Sequence, residues 1–171
     1  MKDKPKINGL IIAAGMGNRL SPLTDELPKC MLPFGDKTLL QHQLDAFRNN
    51  GITNISLIRG FMRETINYPE LEYYENPDFN NNNILCSLMC AEEALHGDVL
   101  VSYSDILIES SVVTQALQSD HDISIVVDVD WRLYYEGRQD HPIEEAENVI
   151  FNSNNEVIKI GKIATKKEEV H

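Results

Sequence analysis

The sequence predicts an α/β fold in which helices cover both faces of a mostly parallel sheet. Two observations carry this prediction. Strand-like apolar segments alternate along the chain with segments whose apolar residues recur every three or four positions, as they do in amphipathic helices. The first strand-like segment, residues 7–14, is almost entirely apolar, which is typical of a parallel strand that is buried on both faces.

The elements of this alternation follow one another in a regular order. Further strands are predicted at residues 55–58, 71–74, 98–103 and 123–127. Helices are predicted at residues 39–49, 83–95 and 110–117, because apolar side chains there repeat at helical spacing. The first of these helices stops at Asn50-Gly51, and Ser110-Ser111 is expected to cap the last one.

The segment after Asp128 breaks the alternation. Residues 149–151 and 157–160, joined by the turn-forming residues 152–155, predict an antiparallel hairpin. Residues 130–147 lack a clear period, so we expect a long surface excursion there. The predicted architecture is a Rossmann-like three-layer sandwich with a mostly parallel central sheet and a small antiparallel hairpin near the C-terminus.

Length and composition indicate one globular domain that spans residues 1–171. A chain of 171 residues can build a sizeable core, and a hydrophobic content of 42% is ordinary for such a domain. The formal net charge of −12 argues against a nucleic-acid partner, because proteins that bind nucleic acids have a basic surface patch. No apolar run approaches the roughly 20 residues of a membrane span.

The N-terminal residues and the cysteines indicate a cytoplasmic protein. The first six residues, Met1 to Lys6, lack the apolar stretch of a signal peptide. Cys30, Cys86 and Cys90 lack the spacing of metal ligands, and their number is odd. We therefore predict that all three are reduced residues used for packing.

A loop of small residues after the first strand is the leading candidate for a binding site. Such a loop brings backbone N–H groups close to an anion, and Arg19 and Lys29 add the positive charge that a polyphosphate requires. The dinucleotide fingerprint and the P-loop are both excluded, because their third glycine and Gly-Lys-Ser/Thr are missing. A plain glycine turn beside two solvated charges is the alternative. The predicted nucleotide-binding residues of this region are Leu10, Ala13, Ala14, Gly15, Met16, Gly17 and Asn18.

Asp105 follows the strand at residues 98–103 and is the candidate metal ligand. A carboxylate at the C-terminal end of a parallel strand lies at the edge where open α/β sheets bind ligands. Mg²⁺ takes one or two protein carboxylates together with phosphate oxygens. An aspartate that only closes a turn or caps a helix is the alternative.

Asn76, Asn83 and Ser87 are the candidates for recognising a nucleotide base. Amide and hydroxyl groups both donate and accept hydrogen bonds, and reading the edge of a pyrimidine requires this mixture. The alternative is an asparagine-rich loop that ends in a helix cap.

The segment from Asp128 to Glu147 is dense in aromatic and acidic residues and is the candidate acceptor site. Aromatic faces and carboxylates suit a cationic head group, and an arginine suits a phosphate or phosphonate. A surface flap with scattered charges is the alternative. The predicted acceptor-binding residues are Asp128, Asp130, Trp131, Tyr135 and Arg138.

The order of these motifs resembles the signature of a known superfamily. Residues 13–20 (Ala-Ala-Gly-Met-Gly-Asn-Arg-Leu), Pro22-Leu23-Thr24 and Pro28-Lys29 resemble the signature of the nucleotidyltransferase (NTP transferase) superfamily. That superfamily includes phosphocholine and phosphonate cytidylyltransferases and sugar-phosphate nucleotidylyltransferases. Its members continue for several further elements, so the resemblance implies that the domain is truncated at its C-terminus, before a second metal carboxylate.

The resemblance also implies a reaction. A nucleoside monophosphate, CMP from CTP in the reading we favour, passes to a phospho-alcohol or phosphonate acceptor, and pyrophosphate leaves. Arg19 and Lys29 are then the catalytic residues, Mg²⁺ is the cofactor, and Asp105 is its ligand. The alternatives are a sugar-1-phosphate nucleotidylyltransferase, a guanylyltransferase, and a non-catalytic nucleotide-binding domain. The sequence leaves the oligomeric state open, with a homodimer among the options.

Overall fold

The structure, a computed structural model, describes residues 6–135 and 146–161. The chain divides into two compact units, Met1–Gln118 and Ser119–His171, and each unit is described by itself. The first unit contains the main sheet and every residue predicted to bind the nucleotide or the metal. The second unit contains every residue predicted to bind the acceptor.

A four-stranded parallel sheet forms the centre of the first unit. The described strands of this unit are β1 (Asn8–Ala13), β2 (Pro33–Phe34), β3 (Lys37–Thr38), β4 (Ile55–Arg59), β5 (Glu72–Glu75) and β6 (Val99–Tyr103). The sheet has the order β5-β4-β1-β6, and all its neighbours are parallel. This confirms the predicted parallel sheet. The antiparallel pair of β2 and β3 was not predicted.

Among the described residues, three helices accompany the sheet. They are α1 (Leu39–Asn49), α2 (Ile84–Met89) and α3 (Ser110–Ala116). A capping box starts α1: the Gln41 N–H donates to Thr38 Oγ1 at 3.1 Å, and the Thr38 N–H donates to Gln41 Oε1 at 2.9 Å. The helix ends at Asn49 with Asn50 as its C-cap, and Gly51 follows in the left-handed region with φ 81°, as the predicted stop requires.

Apolar side chains pack on both faces of the sheet, which agrees with the predicted three layers. On one face, α1 and α3 contribute Leu40, Leu44, Phe47 and Val113, which pack with Ile11 and Leu57. On the other face, Leu88 and Ala91 pack with Leu10, Ile12 and Ile58. Because each face has its own apolar cluster, β1 is buried on both sides and fixes the position of the loop that follows it.

Two predicted helix boundaries were wrong. The helix expected at residues 83–95 ends as α2 at Met89, and Glu92–Ala94 form a separate 3₁₀ turn. The backbone leaves helical geometry at Ala91 (φ −113°, ψ 33°), where the methyl group is fully buried in the core, so packing overrides the local period. Ser110 begins α3 and does not cap it; the N-cap position is held by Glu109, which makes no side-chain cap.

The strand predicted at residues 123–127 was also wrong. This segment has no regular secondary structure, and Ile123 and Val126 are 86% and 56% exposed. A β-branched segment forms a strand only where a neighbouring strand supplies hydrogen bonds and packing. No described strand pairs with this segment, so the β-propensity of its residues does not produce a strand.

The second unit contains the predicted hairpin. It consists of β7 (Asn148–Phe151) and β8 (Val157–Gly161), which pair antiparallel. Of the surface excursion predicted at residues 130–147, Trp131–Tyr135 form a short 3₁₀ helix, and residues 136–145 lie outside the described part. Within the ranges that the structure describes, no helix combines the length and apolarity needed to cross a membrane.

Candidate active site

The carboxyl ends of the four parallel strands lie side by side at one edge of the sheet. In the order β5, β4, β1 and β6, they lead into Asn76, Gly60, Ala14 and Ser104-Asp105. Backbone bonds continue beyond the strands, because the Ser104 N–H donates to Ile12 O at 3.1 Å and the Phe61 N–H donates to Ala14 O at 3.0 Å. The predicted glycine loop, base-reading asparagine and metal carboxylate therefore share the edge where open α/β sheets bind ligands.

Lys29 and Asp105 form an ion pair at this edge. Lys29 Nζ lies 2.5 Å from Asp105 Oδ2. The two side chains are 28% and 38% exposed, so solvent and small ligands can reach them. The sequence predicted both residues as members of the site, and the structure places the ammonium directly against the carboxylate.

A buried neighbour anchors the backbone of Lys29. Lys29 begins the 3₁₀ turn Lys29–Met31, and the next residue, Cys30, is completely enclosed in the core. Burial raises the pKa of the Cys30 thiol to about 12, so this cysteine stays neutral and unreactive at physiological pH. Cys86, in contrast, is exposed, which corrects the prediction that all three cysteines serve packing.

The glycine loop after β1 has a defined internal geometry. Gly17 has φ 70°, a conformation that favours glycine, and its carbonyl accepts hydrogen bonds from Thr24 Oγ1 at 3.0 Å and the Leu20 N–H at 2.9 Å. Thr24 is buried. Arg19 lies on the exposed side of the 3₁₀ turn Asn18–Leu20 that follows.

The loop residues differ in what they present to a ligand. The side chains of Leu10, Ala13 and Ala14 are buried in the core, so only their backbones could contact a nucleotide. Gly15 and Asn18 are exposed, and Met16 and Gly17 are partly exposed. The open part of the loop therefore begins at Gly15, and the contact predicted for Leu10 stays a prediction.

Gly15 and Gly60 show two different reasons for a glycine. A Cβ on Gly60 would lie 2.6 Å from the Ala14 carbonyl oxygen and 2.9 Å from Phe79 Cβ, so close backbone packing excludes a side chain there. No described heavy atom beyond the chain neighbours lies within 4 Å of a Cβ built on Gly15, and its φ is not positive. No contact within the described chain explains Gly15, whereas close approach of a ligand would.

Asn76, Asn82 and Ser87 form a hydrogen-bonded group. Asn76 Nδ2 donates to Ser87 Oγ at 2.8 Å and to Asn82 Oδ1 at 3.0 Å. Asn76 Oδ1 accepts from Asn82 Nδ2 and from the Asp78 N–H. Since Asn76 and Ser87 are both buried, the amide of Asn76 is fully occupied within this group, and Asn82 is its partly exposed member.

Asn83 has a structural partner. Its Oδ1 accepts from the Cys86 N–H at 3.0 Å and caps α2, which is the alternative that the sequence had left open for this residue. Its contact with a base therefore remains a prediction, as do those of Asn76 and Ser87.

The predicted acceptor residues belong to the second unit. Asp128 Oδ1 accepts from the Asp130 N–H at 2.9 Å and closes a turn. The rings of Trp131 and Tyr135 meet edge to face with centroids 5.4 Å apart, and the Arg132 guanidinium lies 5.5 Å from the Trp131 centroid. Arg132, which is not one of the predicted acceptor-binding residues, thus lies beside the aromatic ring that was expected to face the cationic group of the acceptor. Arg138 lies outside the described residues.

The donor set near Asp105 fits a magnesium ion that is held largely by phosphate. Among the described residues there is no group of three His, Cys, Asp or Glu that could enclose a metal ion. Asp105 offers one partly exposed carboxylate at the sheet edge. One carboxylate is sufficient where a nucleotide supplies the other oxygens.

Sequence reasoning missed two buried polar residues that support the site, Thr24 and Gln43. Thr24 stands in the quoted motif Pro22-Leu23-Thr24, but its bond to the loop had not been predicted. Gln43 lies on the apolar face of α1, between Leu40 and Leu44. A polar residue on an otherwise apolar helix face was the signal that could have revealed it, because a buried amide needs partners.

The chain is similar in sequence to known proteins. The family model described as "Nucleotidyl transferase" matches residues 8–122. The chain is 27% identical over 175 residues to CTP:phosphoglutamine cytidylyltransferase of Campylobacter jejuni, covering 96% of this chain and 69% of that protein. It is 38% identical over 78 residues to mannose-1-phosphate guanyltransferase of Saccharomyces cerevisiae, covering 43% of this chain and 22% of that protein.

A solved structure shares the fold. The inositol-1-phosphate CTP transferase from T. maritima superposes with a TM-score of 0.69 at 20% sequence identity, covering 96% of this chain and 66% of that one. The present chain thus spans about two thirds of the length of the two CTP-using proteins that it resembles.

Proposed function

Because this chain belongs to the nucleotidyl transferase family, we propose that it transfers CMP from CTP to a phospho-alcohol or phosphonate acceptor and releases pyrophosphate. The similarity to a CTP:phosphoglutamine cytidylyltransferase over nearly the whole chain supports the choice of CTP and of a phosphorylated acceptor. The observation that carries the proposal is the ion pair of Lys29 and Asp105 at the sheet edge that also bears the glycine loop.

The chemistry needs positioning and charge more than proton transfer. An acceptor phosphate or phosphonate oxygen is already anionic, so it attacks the α-phosphorus of CTP without a general base. The bond between this oxygen and the α-phosphorus forms, while the bond from the α-phosphorus to the oxygen bridging to the β-phosphorus breaks, and pyrophosphate departs with the electron pair. Lys29 neutralises charge on the α-phosphate and the incoming oxygen, and Arg19 with the N–H groups of residues 14–17 binds the β- and γ-phosphates.

Asp105 is proposed to hold Mg²⁺ through its partly exposed carboxylate. When bound, the ion supplies positive charge to the phosphate oxygens. Since Lys29 already lies against this carboxylate, the two side chains are close enough to act on neighbouring oxygens of one triphosphate.

Binding of CTP is the first expected result. CTP with Mg²⁺ should raise the melting temperature of the protein more than ATP, GTP or UTP at equal concentration, because stabilisation grows with the ratio of ligand concentration to Kd. Differential scanning fluorimetry measures this directly. A larger shift with a purine or uridine nucleotide would overturn the assignment of CTP.

Gly15→Ala should weaken CTP binding without changing stability. A methyl group here meets no described atom, so the free energy of unfolding should stay within about 0.5 kcal/mol of the parent. It would, however, hold the triphosphate away from the loop, and losing one hydrogen bond to a charged oxygen costs about 1.5–3 kcal/mol, which is about tenfold or more in Kd. Isothermal titration calorimetry with CTP and Mg²⁺ measures the loss.

Gly161→Ala is the matched control for this variant. Gly161 also has open surroundings but belongs to the other unit, so its variant should bind CTP as the parent does. Unchanged CTP affinity in Gly15→Ala would contradict the role of the loop.

A sugar-1-phosphate nucleotidylyltransferase is the second candidate. Similarity to a mannose-1-phosphate guanyltransferase favours it, although only 43% of this chain is covered. Pyrophosphate release measured with paired panels of nucleotides and acceptors separates the two, since each candidate predicts release with its own pair alone. Nucleotide binding without pyrophosphate release for any acceptor would indicate a non-catalytic binding domain.

A further inference from the structure

Gln43 is a fully buried polar residue whose contacts converge on the segment that carries Asp105. It is completely inaccessible to solvent in the middle of α1. Its Nε2 donates to the carbonyl of Tyr103 at 2.8 Å and to that of Ile106 at 2.6 Å. These two carbonyls flank Ser104 and Asp105, so one side-chain amide joins both ends of the turn that bears the carboxylate.

The hydrogen bonds of Gln43 use both of its donors. The two N–H groups of the amide are engaged by the two carbonyls, and Oε1 lies 3.4 Å from Ser102 Oγ, whose single proton is shared with Tyr103 O at 3.1 Å. An amide buried in the core is costly unless its partners are in place, so these bonds oppose movement of the turn. Just beyond Tyr103, the last residue of β6, they add to the backbone bond from the Ser104 N–H to Ile12 O.

The helix that presents Gln43 is itself firmly held. The capping box fixes the start of α1, and Leu40, Leu44 and Phe47 anchor the helix in the core. Packing in the interior therefore fixes the position of the amide. Through its hydrogen bonds, the amide in turn fixes the backbone of residues 103–106 at the sheet edge.

We propose that Gln43 is a positioning residue that holds the Asp105 carboxylate against Lys29. Its expected effect on catalysis rests on the proposed function, whereas its effect on the ion pair does not. The Gln43 amide holds the turn from Tyr103 to Ile106 in place. The position of this turn determines the position of the Asp105 carboxylate, which lies 2.5 Å from Lys29 Nζ.

The test compares Gln43→Met with Gln41→Met. The two variants make the same substitution two residues apart in one helix. Gln41→Met removes the capping-box bond to the Thr38 N–H but keeps the N-cap bond from the Gln41 N–H to Thr38 Oγ1 and both bonds from Gln43 to the Asp105 turn. Gln43→Met keeps the length of the side chain and removes both donors to the turn. Circular dichroism establishes that each variant is folded at the temperature of the assay.

The first readout needs no nucleotide. Acetylation of lysines by an N-hydroxysuccinimide ester is followed by peptide mass spectrometry, and the rate at Lys29 is divided by the rate at Lys159. Lys159 is exposed on β8 of the second unit and serves as an internal reference, because neither substitution lies in that unit. Because a partly exposed ion pair is worth up to about 1 kcal/mol, the ratio should rise about two- to fivefold in Gln43→Met and stay constant in Gln41→Met.

The second readout is pyrophosphate release. Displacement of a reacting group by about 1 Å can cost 10²-fold, so kcat should fall on the order of 10- to 100-fold in Gln43→Met, with KM for CTP changed less. A purely structural role would instead lower the folded fraction and leave the acetylation ratio and the kcat of the folded protein unchanged.

The outcomes separate the two proposals. An acetylation ratio that is equal in Gln43→Met and Gln41→Met would overturn the positioning role whatever the activity. Absence of pyrophosphate release by the parent chain would overturn the proposed function alone. If Gln43→Met does not fold, Gln43→Asn carries the test, because it keeps both donors on a shorter arm and should raise the ratio in the same direction.

Discussion

Lys29→Ala should lower the rate of pyrophosphate release by about 10²–10³-fold, the loss typical of removing one preorganised charge-stabilising group from an active site. Lys29 is the cation that lies against Asp105 at the sheet edge, and charge accumulates on the α-phosphate and its neighbours as the bond to pyrophosphate breaks. The substitution should leave the fold intact, because a partly exposed ion pair contributes at most about 1 kcal/mol to stability. Steady-state kinetics together with a melting curve measure both effects.

Lys37→Ala is the matched control. Lys37 forms an ion pair of the same kind with Asp45 at 2.7 Å, and neither of these two residues is a predicted site residue. Its loss should leave the rate of pyrophosphate release unchanged. The melting temperature should fall only slightly, because an exposed ion pair contributes at most about 1 kcal/mol to stability. Pyrophosphate release that survives in Lys29→Ala would remove Lys29 from the proposed mechanism.

Gly60→Ala should destabilise the first unit by about 1–3 kcal/mol, the usual cost of forcing extra atoms into a packed interior. A Cβ there would lie 2.6 Å from the Ala14 carbonyl oxygen and 2.9 Å from Phe79 Cβ. A backbone oxygen cannot move aside as a flexible side-chain end can, so β1 and β4 would have to shift apart beyond their last paired residues. Urea unfolding monitored by circular dichroism measures the loss.

Gly15→Ala supplies the contrast for Gly60→Ala. The same methyl group is added to the loop one residue beyond Ala14, but into open space. Gly60→Ala should therefore lose stability, and Gly15→Ala should lose CTP affinity. An unfolding midpoint for Gly60→Ala equal to that of Gly15→Ala would show that the close approach at Ala14 does not constrain the fold.

The parallel sheet could be predicted from the sequence because its signal is local. The apolar run around Leu10 predicts a buried strand, and the helical spacing around Leu44 predicts an amphipathic helix. Each prediction depends only on residues within the segment itself. The strand expected at residues 123–127 failed for the opposite reason. A strand requires a neighbour, and the composition of Ile123 and Val126 contains no information about whether one is present.

The members of the candidate site could be predicted, but their contacts could not. Lys29 and Asp105 stood out as a cation after the glycine loop and a carboxylate at a strand end, yet they are 76 positions apart, and only the packed sheet shows that they touch. The base contact of Asn76 remains a prediction, and the sequence did not show that its amide is engaged by Asn82, Ser87 and the backbone. Hydrogen-bond capacity is visible in a sequence, but its use depends on the neighbours that folding provides.

The central place of β1 has a consequence for how the protein is made. Gly9, near the start of the chain, pairs with Ile55 on one side and with Leu100 on the other. β1 precedes both of its partners in the sequence, and these partners follow about 45 and about 90 residues later. Such non-local pairing slows folding, and an exposed apolar strand invites association while it waits. Until β6 has been translated, the strand that leads to the glycine loop lacks one of its two neighbours and stays open to such association.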